Sequence, residues 1–314
     1  MIKIGMIGFS EGNGHPFSFS AIFNGYNSNL ISKAGWDGIQ QYLDKKNSTD
    51  FNIHNAEVTH IWCPKKELSH TIATACNIGC VVDELQCMVG KVDAVIIARD
   101  DYETHLEVAR IFLESGAYVF VDKPLTLDIH ELAYFESFLL SGQLMSHSGF
   151  RHCAELDDAR YHYRNNDCIE FANAVVVNGW EKYGIHMVDA LFSLTQANPV
   201  SVSAHCRKKI CTYVILMDDK SIFNISTIGE IRPIFSIQII GKNSKFDVEI
   251  KDNFVAFKRT LIGFCAMIDG EIGNEHATDT IKSIKTLIAG KMSREQSGRE
   301  IFLNTLTKGD EKSN

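Results

Sequence analysis

Short apolar segments alternate with helix-length segments in the first 125 residues, and this alternation constrains the fold more than any other feature. The apolar segments have the β-branched and aromatic content of buried strands. Strands are predicted at Ile2–Ile7, Glu57–Cys63, Gly79–Val82, Val92–Ala98 and Ala117–Val121, and helices at Ser18–Tyr26, Glu67–Asn77 and Leu106–Ser115. Strands joined through helices form a parallel sheet covered on both faces. The sequence therefore predicts an α/β domain with a doubly wound parallel sheet over residues 1–125.

The last of these strands, Ala117–Val121, ends abruptly in Asp122, Lys123 and Pro124. Ligands of open α/β sheets bind at the carboxyl ends of the strands. Pro124 fixes its own φ angle and favours extended geometry at Lys123. These charged side chains therefore either face a ligand or belong to a solvated turn, and the D-K-P sequence alone is consistent with both.

A glycine-rich turn follows the first strand. Glycine permits a tight turn and lets a phosphate approach the N–H groups at the start of the next helix. The candidate cofactor-binding residues of this turn are Gly8, Phe9, Ser10, Gly12, Asn13 and Gly14. Ser10 stands at the second glycine position of G-x-G-x-x-G. The turn therefore predicts a dinucleotide site of irregular form.

The segment Asn27–Ala56 is longer than a compact βαβ unit requires. It is predicted to be an insertion around residues 27–56, either a lid over the site or a surface excursion. The second strand then ends in Cys63-Pro64-Lys65-Lys66, without the acid that binds the ribose hydroxyls in NAD sites. Lys65 is a candidate partner for a 2′-phosphate, which favours NADP over NAD, although lysines after a strand are also commonly solvated.

Composition excludes several classes of partner. The net charge of −8 argues against nucleic acid and anionic membranes. No apolar segment has the length of a membrane span, and the N-terminus lacks signal-peptide architecture, so the expected location is cytoplasmic. The nine cysteines lack paired spacing and are expected to be reduced thiols. No histidine or cysteine spacing predicts a metal site.

Residues 126–314 carry successive strand-like segments joined by turns, which predicts a second domain with an antiparallel sheet. The strands are predicted at Phe171–Asn178, Val200–Cys206, Cys211–Met217, Ser221–Thr227, Phe235–Gly241, Phe246–Ile250 and Phe254–Lys258. A further strand is predicted at Leu144–Phe150, and helices at Leu127–Leu140, Ala154–Arg164, Gly184–Gln196 and Ala277–Ala289.

Two groups of polar residues in this second domain are candidates for substrate contact. His186 and Asp189 share one helix face, where an acid can orient the imidazole or bind a hydroxyl. An isolated helical histidine is, however, more often structural. Arg151 is a candidate contact for an acid or phosphate group of a substrate, or else forms a surface salt bridge.

Taken in order, these motifs resemble those of the Gfo/Idh/MocA family, named for glucose-fructose oxidoreductase and inositol dehydrogenase. The resemblance covers nearly the whole chain. The matching features are the glycine-rich turn, Val92–Ala98 with His105, Val119–Leu125 (similar to the family's E-K-P motif), Gly184–Asp189 (its G-x-H-x-x-D helix) and the turn Ile239–Ser244.

The resemblance implies an N-terminal Rossmann domain and a C-terminal α+β domain, residues 126–314, with an open, mostly antiparallel sheet for substrate binding and oligomerisation. It implies hydride transfer between NAD(P) and a sugar, polyol or activated sugar. Lys123 is expected near the nicotinamide and the reacting hydroxyl, and His186 is expected to be the general acid/base. Further expected cofactor contacts are Arg99, Asp100, His105 and Asp122, and further substrate contacts are Arg151, Lys182 and Asp189. A homodimer or homotetramer formed through the C-terminal sheet is also implied.

Two departures from the family pattern leave other functions open. Lys182 stands four residues before His186, where the family usually has an aspartate, and Asp100-Asp101 replaces its T-P sequence. A cofactor-binding sensor or partner protein without turnover is therefore an alternative. A redox-neutral sugar-modifying enzyme that regenerates its cofactor internally is another.

Overall fold

The chain folds into two units, which the computed structural model describes for residues 1–53, 55–231 and 233–306. The first unit comprises Met1–Leu125, Ser137–Ser146 and Phe257–Ala277, and the second comprises Thr126–Glu136, His147–Ala256 and the chain from Thr278 onward. The first change of unit falls at residue 125, where the sequence suggested a boundary. Two later segments nevertheless belong to the first unit, although the sequence assigned everything after residue 125 to the second domain.

A six-stranded parallel sheet forms the centre of the first unit. Its strands are β1 (Ile2–Ile7), β2 (Ala56–Trp62), β3 (Cys80–Val81), β4 (Ala94–Ile97), β5 (Tyr118–Val121) and β6 (Leu144–Met145), in the spatial order β3-β2-β1-β4-β5-β6. β1 pairs with both β2 and β4, so the strand order reverses beside it. In such sheets the ligand crevice lies at this reversal, beyond the carboxyl ends of the strands. The predicted doubly wound sheet is confirmed.

The N-terminal segment of the first unit contains the helices α1 (His15–Asn24), α2 (Ser28–Lys33), α3 (Asp37–Leu43), α4 (Lys66–Ala75) and α5 (His105–Glu114). α1, α4 and α5 begin and end close to their predicted limits, whereas α2 and α3 lie in the segment predicted as an insertion. α1 begins earlier than predicted, because Pro16 occupies its first turn, where the missing N–H has no intrahelical acceptor. Gly116 follows the C-cap residue of α5, Ser115, and has φ +85°, which a glycine at the C′ position adopts readily.

The predicted insertion forms α2 and α3 and packs against the glycine-rich turn. A Cβ atom added to Gly14 would lie 2.3 Å from Ile39 Cδ1 and 2.6 Å from Trp36 Cε3. Ile31 and Leu43, one on each inserted helix, are fully buried. The insertion therefore contributes to the core of the first unit. Neither of the two predicted alternatives, a lid or a surface excursion, included this role.

A seven-stranded mixed sheet forms the centre of the second unit. Its strands are β7 (Ile169–Val176), β8 (Pro199–Arg207), β9 (Ile210–Met217), β10 (Ile222–Thr227), β11 (Phe235–Gly241), β12 (Lys245–Glu249) and β13 (Ile301–Phe302), in the order β12-β11-β7-β10-β9-β8-β13. β7 and β10 are parallel, and the other neighbours are antiparallel. The open, mostly antiparallel sheet is therefore present as expected.

The remaining helices are α6 (Ile129–Leu140), α7 (Asp157–Asn165), α8 (Ile185–Phe192), α9 (Asn253–Ile268) and α10 (Ala277–Glu295). α6 begins after Asp128, whose Oδ1 accepts hydrogen bonds from the N–H groups of His130 and Glu131 at 2.6 and 3.0 Å, as an N-cap does. Among the described residues, no helix combines the length and the apolar character needed to cross a membrane.

The predicted strand Phe254–Lys258 is wrong, because these residues begin α9. Phe254, Phe257, Leu261 and Phe264 are all buried. They recur at intervals of three and four residues, which is the helical period. A window of five residues was too short to distinguish that period from a buried strand.

The strand predicted at Leu144–Phe150 is limited to β6. Ser148 Oγ accepts a hydrogen bond from the N–H of Phe150 at 3.1 Å and caps a 3₁₀ turn, Gly149–His152. Side-chain bonding of this kind to the nearby backbone competes with strand pairing. The chain therefore leaves the sheet after Met145, three residues before Ser148.

Cys206 and Cys211 form a disulfide across the hairpin of β8 and β9. They lie directly opposite each other in the antiparallel register, with their Cα atoms 4.1 Å apart. The expectation of reduced thiols is therefore wrong for this pair. A spacing of five residues reveals a cross-strand pair only when the hairpin register is known. The other seven cysteines are not part of a disulfide.

We expect Gly14→Ala to destabilise the first unit by about 1–3 kcal/mol, because the added methyl group has no space beside Ile39 and Trp36. Gly38→Ala is the matched control, since Gly38 is exposed on α3 with no atom within 4 Å of its Cβ position. There the substitution should leave stability unchanged or slightly raised. Urea unfolding of both variants measures the difference, and equal stability of the two would contradict the packing described.

Candidate functional site

Hydrogen bonds join the loop after β1 to the loop after β4. Ser10 Oγ donates to Asp100 Oδ1 at 2.7 Å, and the Asp100 N–H donates back to Ser10 Oγ at 3.0 Å. Both residues are buried. Ser10 stands where the dinucleotide motif has its second glycine, and Asp100 stands where the family has T-P. The serine and the aspartate that depart from the expected motifs are therefore hydrogen-bonded to each other.

Asp122 joins the glycine-rich turn to the end of β5. Its Oδ2 accepts from Asn13 Nδ2 at 3.2 Å and lies 2.5 Å from His15 Nδ1, while its Oδ1 accepts from the N–H of Lys123 at 2.9 Å. Burial raises the pKa of the carboxyl group, but the charge and hydrogen bond of His15 and the charge of Lys123 outweigh it. The pKa of Asp122 therefore lies well below its usual range.

His105 fastens the loops that follow β4 and β5. The ring is fully buried, with Nδ1 3.0 Å from the carbonyl oxygen of Leu125 and Nε2 3.1 Å from that of Arg99. Burial lowers the pKa of His105 despite these carbonyl oxygens. Arg99 itself is buried in an ion pair with Asp101, whose Oδ1 lies 2.9 Å from Arg99 Nε. Cofactor contact by His105 and Arg99 remains a prediction.

The two lysines of the predicted site, Lys123 and Lys65, have different environments. Lys123 is 5% exposed at the end of β5. A buried ammonium group is costly, which makes it a candidate functional group. Lys65 is exposed at the N-cap of α4, beside Lys66, which forms an ion pair with Asp83.

In the second unit, Ser148 links His186 and Asp189. Its Oγ lies 2.6 Å from His186 Nδ1, and its N–H donates to Asp189 Oδ2 at 2.6 Å. The other oxygen of Asp189 accepts from Ser283 Oγ at 2.6 Å. Burial raises the pKa of Asp189 despite the positive charge of Arg151. The predicted pair on α8 is present, but the acid reaches the histidine through a serine.

Arg151 and Lys182, the two predicted substrate-binding cations of the second unit, differ in burial. Arg151 is 2% exposed and forms an ion pair with Asp279, and its buried Nε and Nη1 atoms have no hydrogen-bond partner among the residues that the structure describes. It is therefore not part of a surface salt bridge. Lys182 is half-buried on a π-helical turn, Trp180–Gly184, that precedes α8. Substrate contact by either residue remains a prediction.

The sequence did not identify His15 and Ser148 as members of these networks. Lys123 was identified because it follows a strand of the first unit's sheet. His15 and Ser148 also follow strands of that sheet, so the same signal could have identified them. His15 lies at the start of α1, directly after the glycine-rich turn. Ser148 follows β6, whose end was predicted to lie beyond it.

The glycine-rich turn fits a dinucleotide phosphate at Gly12. This residue has φ +78°, and a Cβ atom added to it would meet no atom within 4 Å, so its backbone is open to a ligand. The N-terminus of α1, which favours anions, follows three residues later. Gly8 and Gly14, in contrast, are approached by side chains of the protein itself, including Pro16 and Trp36. Within the described residues, no three His, Cys, Asp or Glu side chains are grouped as a metal site requires.

The pKa shifts of Asp122 and Asp189 predict opposite pH dependences of stability. Folding lowers the pKa of Asp122 from 3.8, so its contribution is present above that pH and is lost as the pH falls towards the folded pKa. Folding raises the pKa of Asp189 from 3.8, so its contribution is present below that pH and is lost as the pH rises through the folded pKa.

At neutral pH, we expect Asp122→Asn to destabilise the first unit by about 2 kcal/mol, because charge-assisted hydrogen bonds are lost. This deficit should shrink below about pH 4. Asp189→Asn removes a buried carboxylate but keeps an acceptor for the N–H of Ser148, so stability should change by less than about 1 kcal/mol or rise. Urea unfolding across the acid-to-neutral range measures both, and the same pH dependence in the two variants would contradict the assignment.

Comparison with known proteins supports the described fold and the similarity of the first unit to NAD-binding Rossmann domains. A family model described as an oxidoreductase family with an NAD-binding Rossmann fold, GFO_IDH_MocA, matches residues 33–135. No curated protein sequence matches the chain.

Solved structures match over the whole length at low sequence identity. Apo scyllo-inositol dehydrogenase from Lactobacillus casei is 15% identical, with a TM-score of 0.74 and coverage of 97% of this chain and 99% of that one. Myo-inositol dehydrogenase from the same organism, in complex with NAD(H) and myo-inositol, is 11% identical, with a TM-score of 0.75 and 99% coverage of both chains. A probable dehydrogenase from Thermotoga maritima is 12% identical, with a TM-score of 0.75 and coverage of 98% and 100%. The matched Rossmann residues and the shared fold thus confirm the chain's likeness to the Gfo/Idh/MocA oxidoreductases.

Proposed function

We propose that the chain is an NAD(P)-dependent oxidoreductase that transfers a hydride between the nicotinamide and a hydroxyl or carbonyl group of a sugar, polyol or activated sugar. The observation that carries this proposal is the set of joined polar loops at the carboxyl ends of β1, β4 and β5, within a region that matches an NAD-binding Rossmann family. A structural neighbour bound to NAD(H) and myo-inositol supports a polyol-like substrate.

The residues of each unit supply distinct parts of this chemistry. When bound, the nicotinamide accepts or donates the hydride. Lys123, held at the end of β5, places a positive charge where a substrate oxygen becomes negative, which lowers the barrier electrostatically. His186 is the second group proposed to act on the substrate oxygen, as the resemblance implies. Asp122 supports Lys123 by binding its backbone N–H.

The remaining proposed contacts follow the same division. For the cofactor they are Gly8, Phe9, Ser10, Gly12, Asn13, Gly14, Lys65, Arg99, Asp100, His105 and Asp122, and for the substrate they are Arg151, Lys182 and Asp189. Of the glycine-rich turn, Gly12 offers the open backbone that a phosphate needs. Ser10 and Asp100 act by holding the turn in place.

A homo-oligomer formed through the sheet of the second unit is part of the proposal. Leu216, Ile222 and Ile240 lie on strands of this sheet and are 37–38% exposed. Exposed apolar side chains of this size favour a protein partner over water. A second copy of the chain is the occupant that the family resemblance suggests.

A cofactor-binding protein without turnover is the second candidate function. The observation in its favour is Lys182, which stands where the family usually has an aspartate. Titration of the bound nicotinamide by fluorescence, followed by a search for turnover on polyols and nucleotide sugars, distinguishes the two. Tight binding without turnover on any of them would favour this second function.

We expect His186→Asn to reduce turnover on an identified substrate by about 10²- to 10⁴-fold, because a group acting on the substrate oxygen is lost. Cofactor affinity should be nearly unchanged, since His186 belongs to the second unit and the glycine-rich turn to the first. Steady-state kinetics and nicotinamide fluorescence measure the two quantities. Wild-type turnover in the variant would exclude His186 from the chemistry.

Lys65 tests the preference for NADP. We expect Lys65→Ala to weaken NADPH binding by about five- to tenfold and to leave NADH binding unchanged, because only NADPH carries a 2′-phosphate. Lys66→Ala is the matched control, because Lys66 is the adjacent lysine and is already paired with Asp83. Equal losses for NADH and NADPH, or tighter NADH binding by the wild type, would contradict a preference for NADP.

A further inference from the structure

The hydroxyl group of Ser148 contacts one of the two ring nitrogens of His186, Nδ1, and so affects which nitrogen carries the proton. We propose that Ser148 is a positioning residue that donates to Nδ1 and thereby holds the neutral imidazole as its Nε2–H tautomer. His186 then acts on the substrate oxygen as a hydrogen-bond donor. This inference deepens the proposed function and rests on it for the role of His186 in catalysis.

The backbone of Ser148 is held from two sides. Its N–H donates to Asp189 Oδ2 at 2.6 Å, and its carbonyl oxygen accepts from the N–H of Arg151 at 3.1 Å. Asp189 is in turn held by Ser283 on α10. Ser148 is fully buried, so these bonds do not exchange with bulk water. The position of its hydroxyl group is therefore set by the fold.

The hydrogen bonds of the Ser148 hydroxyl group assign its proton. Oγ accepts from the N–H of Phe150 at 3.1 Å, which uses one lone pair. Within the described residues, the acceptor available to the hydroxyl proton is His186 Nδ1, at 2.6 Å. The opposite arrangement, in which Nδ1–H donates to Oγ, would leave this buried hydroxyl proton without an acceptor, which is unfavourable.

Neighbouring aromatic rings restrict the plane of the imidazole. The ring centroids of Phe150, Tyr183 and Phe235 lie 4.7, 5.6 and 6.3 Å from that of His186. The hydrogen bond made by one ring nitrogen determines which nitrogen carries the proton. Because Ser148 engages Nδ1, the proton of the neutral ring lies on Nε2.

A neutral imidazole in this form presents its Nε2–H as a hydrogen-bond donor. A neutral imidazole in this role stabilises a substrate oxygen that becomes negative during hydride transfer.

Nitrogen NMR of the full-length protein labelled with ¹⁵N-histidine tests the inference without depending on turnover. The His186 signals are identified by their absence in His186→Asn. In the wild type at neutral pH, Nδ1 should have the shift of an unprotonated nitrogen and Nε2 that of a protonated one. A protonated Nδ1, or the averaged shifts of a freely exchanging ring, would overturn the proposal.

Ser148→Ala should move both nitrogen shifts of His186 towards the average of the two tautomers. On an identified substrate it should lower kcat by about 10- to 100-fold without changing cofactor affinity, a typical loss when the partner that orients a histidine is removed. Ser293→Ala is the matched control. Ser293 is a buried serine whose Oγ accepts from the N–H of Ala204 at 2.9 Å and donates to the carbonyl oxygen of Arg299 at 2.6 Å.

Ser293→Ala should leave the His186 signals unchanged. Unchanged His186 signals in Ser148→Ala would overturn the positioning role. If the chain turns over no substrate, the proposed function fails, while the tautomer measurement still decides the assignment made for Ser148 and His186. The two failures are therefore distinguishable.

Discussion

The candidate site of the first unit depends on the hydrogen bonds that the ionised carboxylate of Asp122 accepts. A buried charge is unfavourable unless its neighbours replace the lost water. Here Asn13, His15 and the N–H of Lys123 do so. Two of these groups come from the glycine-rich turn or the helix after it, and the third lies at the end of β5. The electrostatic requirement of one carboxylate thus fixes the relative position of two loops that a dinucleotide would contact.

Departures from the dinucleotide motif are paired across these loops. Ser10 replaces a glycine and bonds to Asp100, and Asn13 occupies the third glycine position and bonds to Asp122. Each pair joins residues that are far apart in sequence. A motif scored position by position counts Ser10 and Asn13 as two irregularities, whereas in the structure each of them is hydrogen-bonded to an aspartate that follows another strand. The irregular turn is therefore an alternative way of holding the same loops.

The sequence was sufficient wherever a local period or a strand end carried the information. It predicted the parallel sheet, the D-K-P strand end and the helix face shared by His186 and Asp189. It failed where the outcome depended on distant partners. The cysteine pair required the hairpin register, and the helical nature of residues 253–268 required a window longer than five residues. Ser148 was missed because its importance comes from α8, which lies more than thirty residues later.

The return of residues 257–277 to the first unit has a consequence for how the chain is made. Phe257 packs edge-on against Phe19, and Phe264 lies beside Phe120 of β5, with ring centroids 5.3 and 5.8 Å apart. On a ribosome, these aromatic partners emerge only after most of the second unit has been synthesised. The Rossmann unit therefore cannot complete its core first and wait for the rest of the chain. A fragment that ended at residue 125 would lack these aromatic partners of Phe19 and Phe120, so the first unit reaches its full core only after residues 257–277 have been synthesised.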